Sequence, residues 1–222
     1  MALEGKGLYP YMPAVRKTGS ECFVLGDQGL SIDLISFWQW STSDLLGNTM
    51  RGCLAEYIVA MALGITSGVR IDWAAYDLLF NGWKIEVKAS GYLQTWPQRQ
   101  LSRPVFSIRP ARGWDPVTNQ MTNEVGRQSD IYVLCLHHHK DKATVNPLDL
   151  TQWSFYILPT ACLNDSRFEE AKTITLASLL TMGPSSVSFS QLEKSIREIM
   201  NEGYKSMPPV LSRAFAIDSS ED

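Results

Sequence analysis

The stretch Tyr76-Asp77-Leu78-Leu79-Phe80-Asn81-Gly82-Trp83-Lys84-Ile85-Glu86-Val87-Lys88 constrains this chain more than any other, because it encodes a β-hairpin whose register its own turn dictates. Asn81-Gly82 separates two apolar runs, and a two-residue type I′ turn requires positive φ at both central positions, which Asn and Gly tolerate best. That turn sets Phe80 opposite Trp83, Leu79 opposite Lys84, Leu78 opposite Ile85 and Asp77 opposite Glu86. The last pair falls at a non-hydrogen-bonded position, where facing Cβ atoms approach to roughly 4.5–5.5 Å. Two like charges there are destabilising, so a cation is expected between them. Alternation puts Glu86 and Lys88 on one face and Ile85 and Val87, with Leu78 and Phe80, on the other. One face is core, and the other carries carboxylates and an amine.

A hard divalent cation suits such a cluster. Mg²⁺ accepts one or two carboxylates, keeps several waters and reaches for phosphate oxygens. Lys88 beside the ion would orient water or offset charge developing on phosphorus. Upstream, residues 48–64 read as a helix, with Leu54, Ile58 and Met61 as an apolar stripe, Asn48 as N-cap and Gly64 as the stop. Glu56 is the only charge between Cys53 and Leu63. An unpaired carboxylate in so apolar a run would cost several kcal/mol, so a metal or a cation must compensate it.

An acid, a short gap, then acid-x-Lys, with a further acid on a preceding helix, resembles the PD-(D/E)XK phosphodiesterase superfamily, the restriction-endonuclease-like nucleases. The match is Asp77, then Glu86-Val87-Lys88, with Glu56 upstream; Tyr76, not proline, precedes Asp77. The resemblance covers residues 48–160. It implies an α/β sandwich with a central mixed β-sheet flanked by helices, and a Mg²⁺ site (Mn²⁺ as the substitute) built from Glu56, Asp77, Glu86 and the Val87 carbonyl, with Lys88 as the catalytic cation. It further implies a metal-dependent nuclease, a DNA endonuclease in particular. The alternative is a nucleic-acid-binding or assembly module that keeps the fold without turnover. Gln94 and Gln98 follow the acid-x-Lys strand as glutamines do in branches of the superfamily, and would orient water or contact phosphate, or else belong to loop surface.

The net charge of −3 argues mildly against a polyanionic partner, but its distribution matters more. Arg99, Arg103, Arg109 and Arg112 fall between Gly91 and Gly113, a stretch with no Asp or Glu. They are candidate contacts to a nucleic-acid backbone, or else solvated loop residues; Trp96 and Trp114 would stack bases or pack inward. With 45% hydrophobic residues and 222 positions, the chain is long enough for one sizeable domain, residues 1–222, with a core over 48–160 and extensions at 1–47 and 161–222. No apolar run spans a membrane and no secretory leader is legible, so a cytoplasmic setting is expected. Cys22, Cys53, Cys135 and Cys162 lack metal-site spacing and read as reduced, buried, structural thiols, with a zinc site as the alternative. His137, His138 and His139 end an apolar strand and read as a solvated strand end, with a soft-metal pair as the alternative.

Further strands are expected at Pro104–Ile108, Asp130–Leu136 and Ser154–Leu158, the second covered on both faces, with a loop, or a loop plus a short helix, from Gly113 to Gln128 carrying Arg127 toward substrate. Residues 32–40 are apolar enough to pack on the domain or on a partner. Ser190 is a candidate cap for a C-terminal helix through Leu192, Ile196 and Met200 to Gly203, followed by Pro208-Pro209 and an acidic tail. A homodimer is the assembly by which a one-site subunit would cut both strands of a duplex.

Overall fold

The computed structural model describes residues 9, 11–164 and 167–203. In chain order the elements are β1 (Cys22–Leu25), β2 (Gln28–Asp33), α1 (Leu34–Thr42), α2 (Asn48–Ala62), β3 (Leu78–Phe80), β4 (Trp83–Gly91), β5 (Val105–Ser107) and β6 (Trp114–Asp115). They continue with β7 (Gln120–Met121), β8 (Ile131–His137), β9 (Trp153–Pro159), α3 (Thr160–Leu163), β10 (Thr173–Thr175), α4 (Leu176–Leu180), β11 (Ser186–Val187) and α5 (Phe189–Asn201). The central sheet has the order β11-β9-β8-β4-β3, with β4 and β8 parallel and the other neighbours antiparallel. A mixed sheet flanked by helices is therefore the architecture.

The hairpin forms in the expected register, Phe80 to Trp83, Leu79 to Lys84 and Leu78 to Ile85. Asn81 and Gly82 have φ of 49° and 80°, the left-handed values that the two-residue turn demands. From β4 the side chains divide as alternation requires. Ile85 and Val87 join Ile131, Val133, Cys135, Phe155 and Ile157 in a core under α2 and α5. The opposite face is built from Tyr132, Leu134, Leu136, Tyr156 and Leu158, covered by Phe106, Ile108, Leu163, Ile174 and Leu179. Each fully buried aliphatic or aromatic side chain contributes on the order of 1.5–3 kcal/mol, so two cores clamp β8 from both sides and its seven residues are all buried.

Several expectations are corrected. The apolar face of α2 runs through Ala55, Ile58, Val59 and Leu63, while Met61 is 39% exposed, and Gly47, not Asn48, is the N-cap. Gly64, at φ 68°, does end the helix. The strand at 105–107 leaves the main sheet and pairs with β10, forming part of the cover over the second core. Between Gly113 and Gln128 the chain makes the β6–β7 hairpin rather than a loop. Ser188, not Ser190, caps α5 through a box with Gln191, and Leu192 and Ile196 are core residues. His137 is buried, so the strand end is not solvated there. Pro208, Pro209 and the acidic tail lie outside the described residues. The four cysteines are reduced thiols, but of them Cys135 alone is buried; Cys53 and Cys162 are half-buried, and Cys22, on the exposed strand β1, is open to solvent.

Candidate active site

Asp77 sits where the hairpin ladder ends. Its N–H still bonds the Ile85 carbonyl at 3.1 Å, but the paired strand stops at Leu78 and the Asp77 carboxylate accepts the Val87 N–H at 2.7 Å. The side chain thus takes the place a backbone carbonyl would fill in a continued ladder, which fixes one carboxylate oxygen against β4. Glu86 and Lys88 project from β4 onto the face shared with Tyr132 and Leu134, their register partners on β8. Lys88 Nζ lies 2.5 Å from Glu86 Oε1 and 3.6 Å from Asp77 Oδ2. The cation expected between the two acids is therefore Lys88 itself.

The electrostatics follow from this partial burial. Desolvation first, then the Asp77 charge, pushes Glu86 above the usual carboxylate range. Burial pulls Lys88 down, but Asp77 and Glu86 together outweigh it and hold the ammonium above its ordinary value, so it is charged at neutral pH. Tyr132, on the same face, is pushed up to about 12 by burial and then by the Glu86 charge, and stays a neutral phenol. Ser90 continues the Glu86 and Lys88 face and accepts the Val105 N–H at 3.1 Å, tying β5 to the end of the site strand.

Glu56 approaches from α2. Arg70 grips it with two hydrogen bonds, Nε to Oε2 at 2.5 Å and NH2 to Oε1 at 2.9 Å, and also bonds Asp72. Burial raises the Glu56 pKa, against the Arg70 hydrogen bonds that lower it; the Asp77 charge adds to the rise. The compensation demanded of this buried acid comes from an arginine fourteen residues away. Beside Glu56 and Asp77 a cavity of about 1220 Å³ opens, walled in part by Tyr57, Arg70, Tyr76 and Trp114.

Asp77 and Glu86 fit the hydrated, two-carboxylate mode of Mg²⁺ binding, with Lys88 a flexible amine able to give way. Glu56 has both oxygens engaged by Arg70, and the contact from Val87 to Asp77 runs through its N–H. Among the described residues no three His, Cys, Asp or Glu side chains are grouped as a metal site.

The remaining candidates divide sharply. Arg99, Arg103, Arg109 and Arg112 are exposed, and none makes a hydrogen bond or ion pair with the described residues. Gln94 and Gln98, by contrast, are spent inside the protein. Gln94 accepts from buried Arg51 at 2.9 Å and donates to Ser102, while Gln98 bonds the Gln94 N–H, the Tyr92 carbonyl and Ser102. Together they hold the 91–102 loop to α2. Arg127 donates to the Ile108, Phe168 and Ala171 carbonyls and to Asn164, a structural staple rather than a substrate contact. Arg51 and Arg70 were not legible in this way; the contacts that matter, Arg51 to Leu93 and Gln94 and Arg70 to Glu56, span 42, 43 and 14 positions, beyond any local pattern.

Comparison with protein families matches residues 35–178 to bacteriophage T4 endonuclease IV, about two thirds of the chain and including every one of Glu56, Asp77, Glu86 and Lys88. Comparison with curated proteins gives no match.

Proposed function

The chain belongs to the bacteriophage T4 endonuclease IV family and is an endonuclease acting on nucleic acid; from that premise we propose that it hydrolyses DNA, in the manner of the PD-(D/E)XK nucleases, at the site formed by Asp77, Glu86 and Lys88. The observation that carries this reading is Lys88 held 2.5 Å from Glu86 and 3.6 Å from Asp77 at the end of a hairpin. A binding module has no need of two partly buried acids around a lysine, whereas a phosphodiesterase does.

Arg99, Arg103, Arg109 and Arg112 draw the phosphate backbone toward the protein, and the cavity beside Asp77 gives a strand room to lie next to the site. Asp77 and Glu86 would hold Mg²⁺ or Mn²⁺, which supplies Lewis acidity and activates water when bound. Lys88 then offsets the negative charge that grows on the scissile phosphate's oxygens, an interaction stronger in the transition state than with the bound substrate. Glu56, its charge met by Arg70, keeps that side of the site rigid. The described residues contain no helix long and apolar enough to cross a membrane, and we place the reaction in the cytoplasm.

The test is incubation of the purified protein with supercoiled plasmid, single-stranded DNA and RNA, in Mg²⁺, Mn²⁺ or chelator. DNA cleavage that needs the ion, and that Lys88→Ala removes while DNA binding persists, is the expected result. Cleavage undiminished in chelator overturns the metal, cleavage of RNA alone overturns the substrate, and equal turnover by Lys88→Ala removes the lysine from the mechanism.

A further inference from the structure

Trp73 is unfavourable on two counts. Its φ is 67°, in the left-handed region that turns fill with glycine or asparagine at least strain, and the residue is 87% exposed. The two other non-glycine residues at positive φ among the described residues, Asn81 and Asn119, are asparagines in the turns of the β3–β4 and β6–β7 hairpins. A bulky side chain in that region is a backbone outlier, and such outliers gather at ligand clamps and active sites. The indole makes no hydrogen bond or ring contact with the described residues, so nothing in the fold offsets the strain.

Position selects what the ring meets. Trp73 lies in the connection between α2 and β3, four residues before Asp77, so the two Cα atoms are within about 14 Å of each other however the chain runs. Arg70 and Ile71 before it, and Ala74 and Ala75 after it, line the cavity beside Asp77, which leaves Trp73 at the rim. Arg70 bonds both Glu56 and Asp72, so the turn is tied to α2 and holds the ring out from an anchored backbone. Apart from Glu56 and Asp77, the cavity wall carries Arg16, Lys17 and Lys84, besides Arg70, against one acid, Asp115. That balance suits phosphates. The family acts on nucleic acid, and cations along a wall with a flat aromatic ring at its rim are the two parts of a site for a nucleic-acid strand.

We propose that Trp73 is a base-stacking residue: the face of its indole takes one unstacked base of the strand being cut, a few nucleotides from the scissile phosphate, while the cations of the cavity wall hold the backbone between. Every base has a π-face, so the contact positions the strand without reading its sequence. The left-handed backbone keeps the ring in water until a base covers it. Once covered, the ring sets which phosphate comes to Asp77, Glu86 and Lys88. The assignment rests on the reading of those three residues as the site of cutting, but its test is binding, which needs no cutting.

The test uses the full-length protein in chelator and strands of roughly a dozen nucleotides, a length such sites cover, with binding read by fluorescence anisotropy. One mixed sequence is made as single-stranded DNA and as RNA, and each is also made with an abasic sugar in place of every base. Trp73→Gly should bind the intact strand roughly ten-fold more weakly than wild type, the loss expected when one base–aromatic stack is removed, and Trp73→Phe should keep most of the affinity. Removing the bases should weaken wild type more than Trp73→Gly by about that same ten-fold, the non-additivity that marks two groups in contact. Trp73→Gly should also melt no lower than wild type, because glycine takes φ 67° without strain. No binding of either strand by wild type, equal binding by Trp73→Gly, equal losses for the two proteins on the base-free strand, or a lower melting temperature for Trp73→Gly each overturns the proposal. Failure of the cutting site shows elsewhere, as a wild type that cleaves nothing or a Lys88→Ala variant that cleaves equally, and the binding comparison still decides the role of Trp73.

Discussion

Replacing Lys88 with methionine keeps most of the side-chain volume and removes the charge that separates Asp77 from Glu86. The Lys88, Asp77 and Glu86 side chains retain 29%, 18% and 19% of their surface exposed, so their pairing lies between the exposed and buried limits. Exposed pairs contribute about 0–1 kcal/mol, and breaking a buried pair costs about 3–5 kcal/mol; a loss of about 2 kcal/mol in chelator at pH 7 is the expectation. For a chain of this size that lowers Tm by roughly 4–8 °C. Part of the loss should return on adding Glu86→Gln, which removes the repulsion, and part on adding Mg²⁺ or Ca²⁺, which binds the folded form and stabilises it by mass action. The deficit should also shrink in acid. Glu86 titrates above its ordinary value of 4.5 in the folded protein, and Lys88 is one of the groups that lower it. An acid with a raised folded pKa contributes stability that is complete below its unfolded pKa and is lost as pH rises through the folded one, so protonating Glu86 relieves the variant more than the wild type. Thermal melts of wild type, Lys88→Met and the double variant from pH 4 to 8 read all of this. Equal melting of wild type and Lys88→Met in chelator would show that the lysine does not screen the acids, and the site geometry argued above would be wrong.

Arg70→Ala should destabilise the protein by about 1–2 kcal/mol, since it leaves Glu56 uncompensated while Arg70 itself is 43% exposed; adding Glu56→Gln should recover most of that in chemical denaturation, and failure to recover would uncouple the pair. His137 is 1% exposed, and burial, then the Arg51 charge, holds its imidazole down to about 4. A lowered folded pKa in a histidine makes stability fall as pH drops from about 6.5 toward 4, by on the order of 2 kcal/mol, and His137→Phe should remove that slope from pH-dependent melts. Arg99→Ala with Arg103→Ala should weaken DNA binding alike on all sequences and reduce the slope of log K against log salt by roughly 1.5–2; an unchanged slope returns both to ordinary surface.

The local part of the fold was legible and the long-range part was not. Asn81-Gly82 specifies a turn, the turn specifies which residues oppose each other, and alternation then sorts Ile85 and Val87 from Glu86 and Lys88; each step depends on residues a few positions apart. The same logic reached the fully apolar strand β8. It failed at Asp77, where the expected cross-strand pair with Glu86 gives way to a carboxylate bonded to the Val87 N–H, because a side chain competing for a backbone donor has no signature in a hydrophobic pattern. It failed again at β5, whose partner β10 lies more than sixty residues on, and at Gln94 and Gln98, whose amides answer to Arg51 rather than to solvent.

Glu56 shows how far such reading extends. Its isolation in an apolar helical run predicts burial, and burial predicts a counter-charge, so the demand for a metal or a cation is derivable from the helix alone. Which of the two supplies it is a tertiary question. Arg70 lies fourteen residues away beyond the helix, and only the folding back of that segment brings its guanidinium onto both Glu56 oxygens. The bidentate grip distinguishes Glu56 from Asp77 and Glu86, whose counter-ion is a flexible lysine held by shared contacts. A guanidinium fork remains charged and pre-organised for a carboxylate, whereas an amine on four methylenes can give way to another cation. In this site, Asp77 and Glu86 are consequently the acids open to exchange of partner, and Glu56 is the acid that keeps its own.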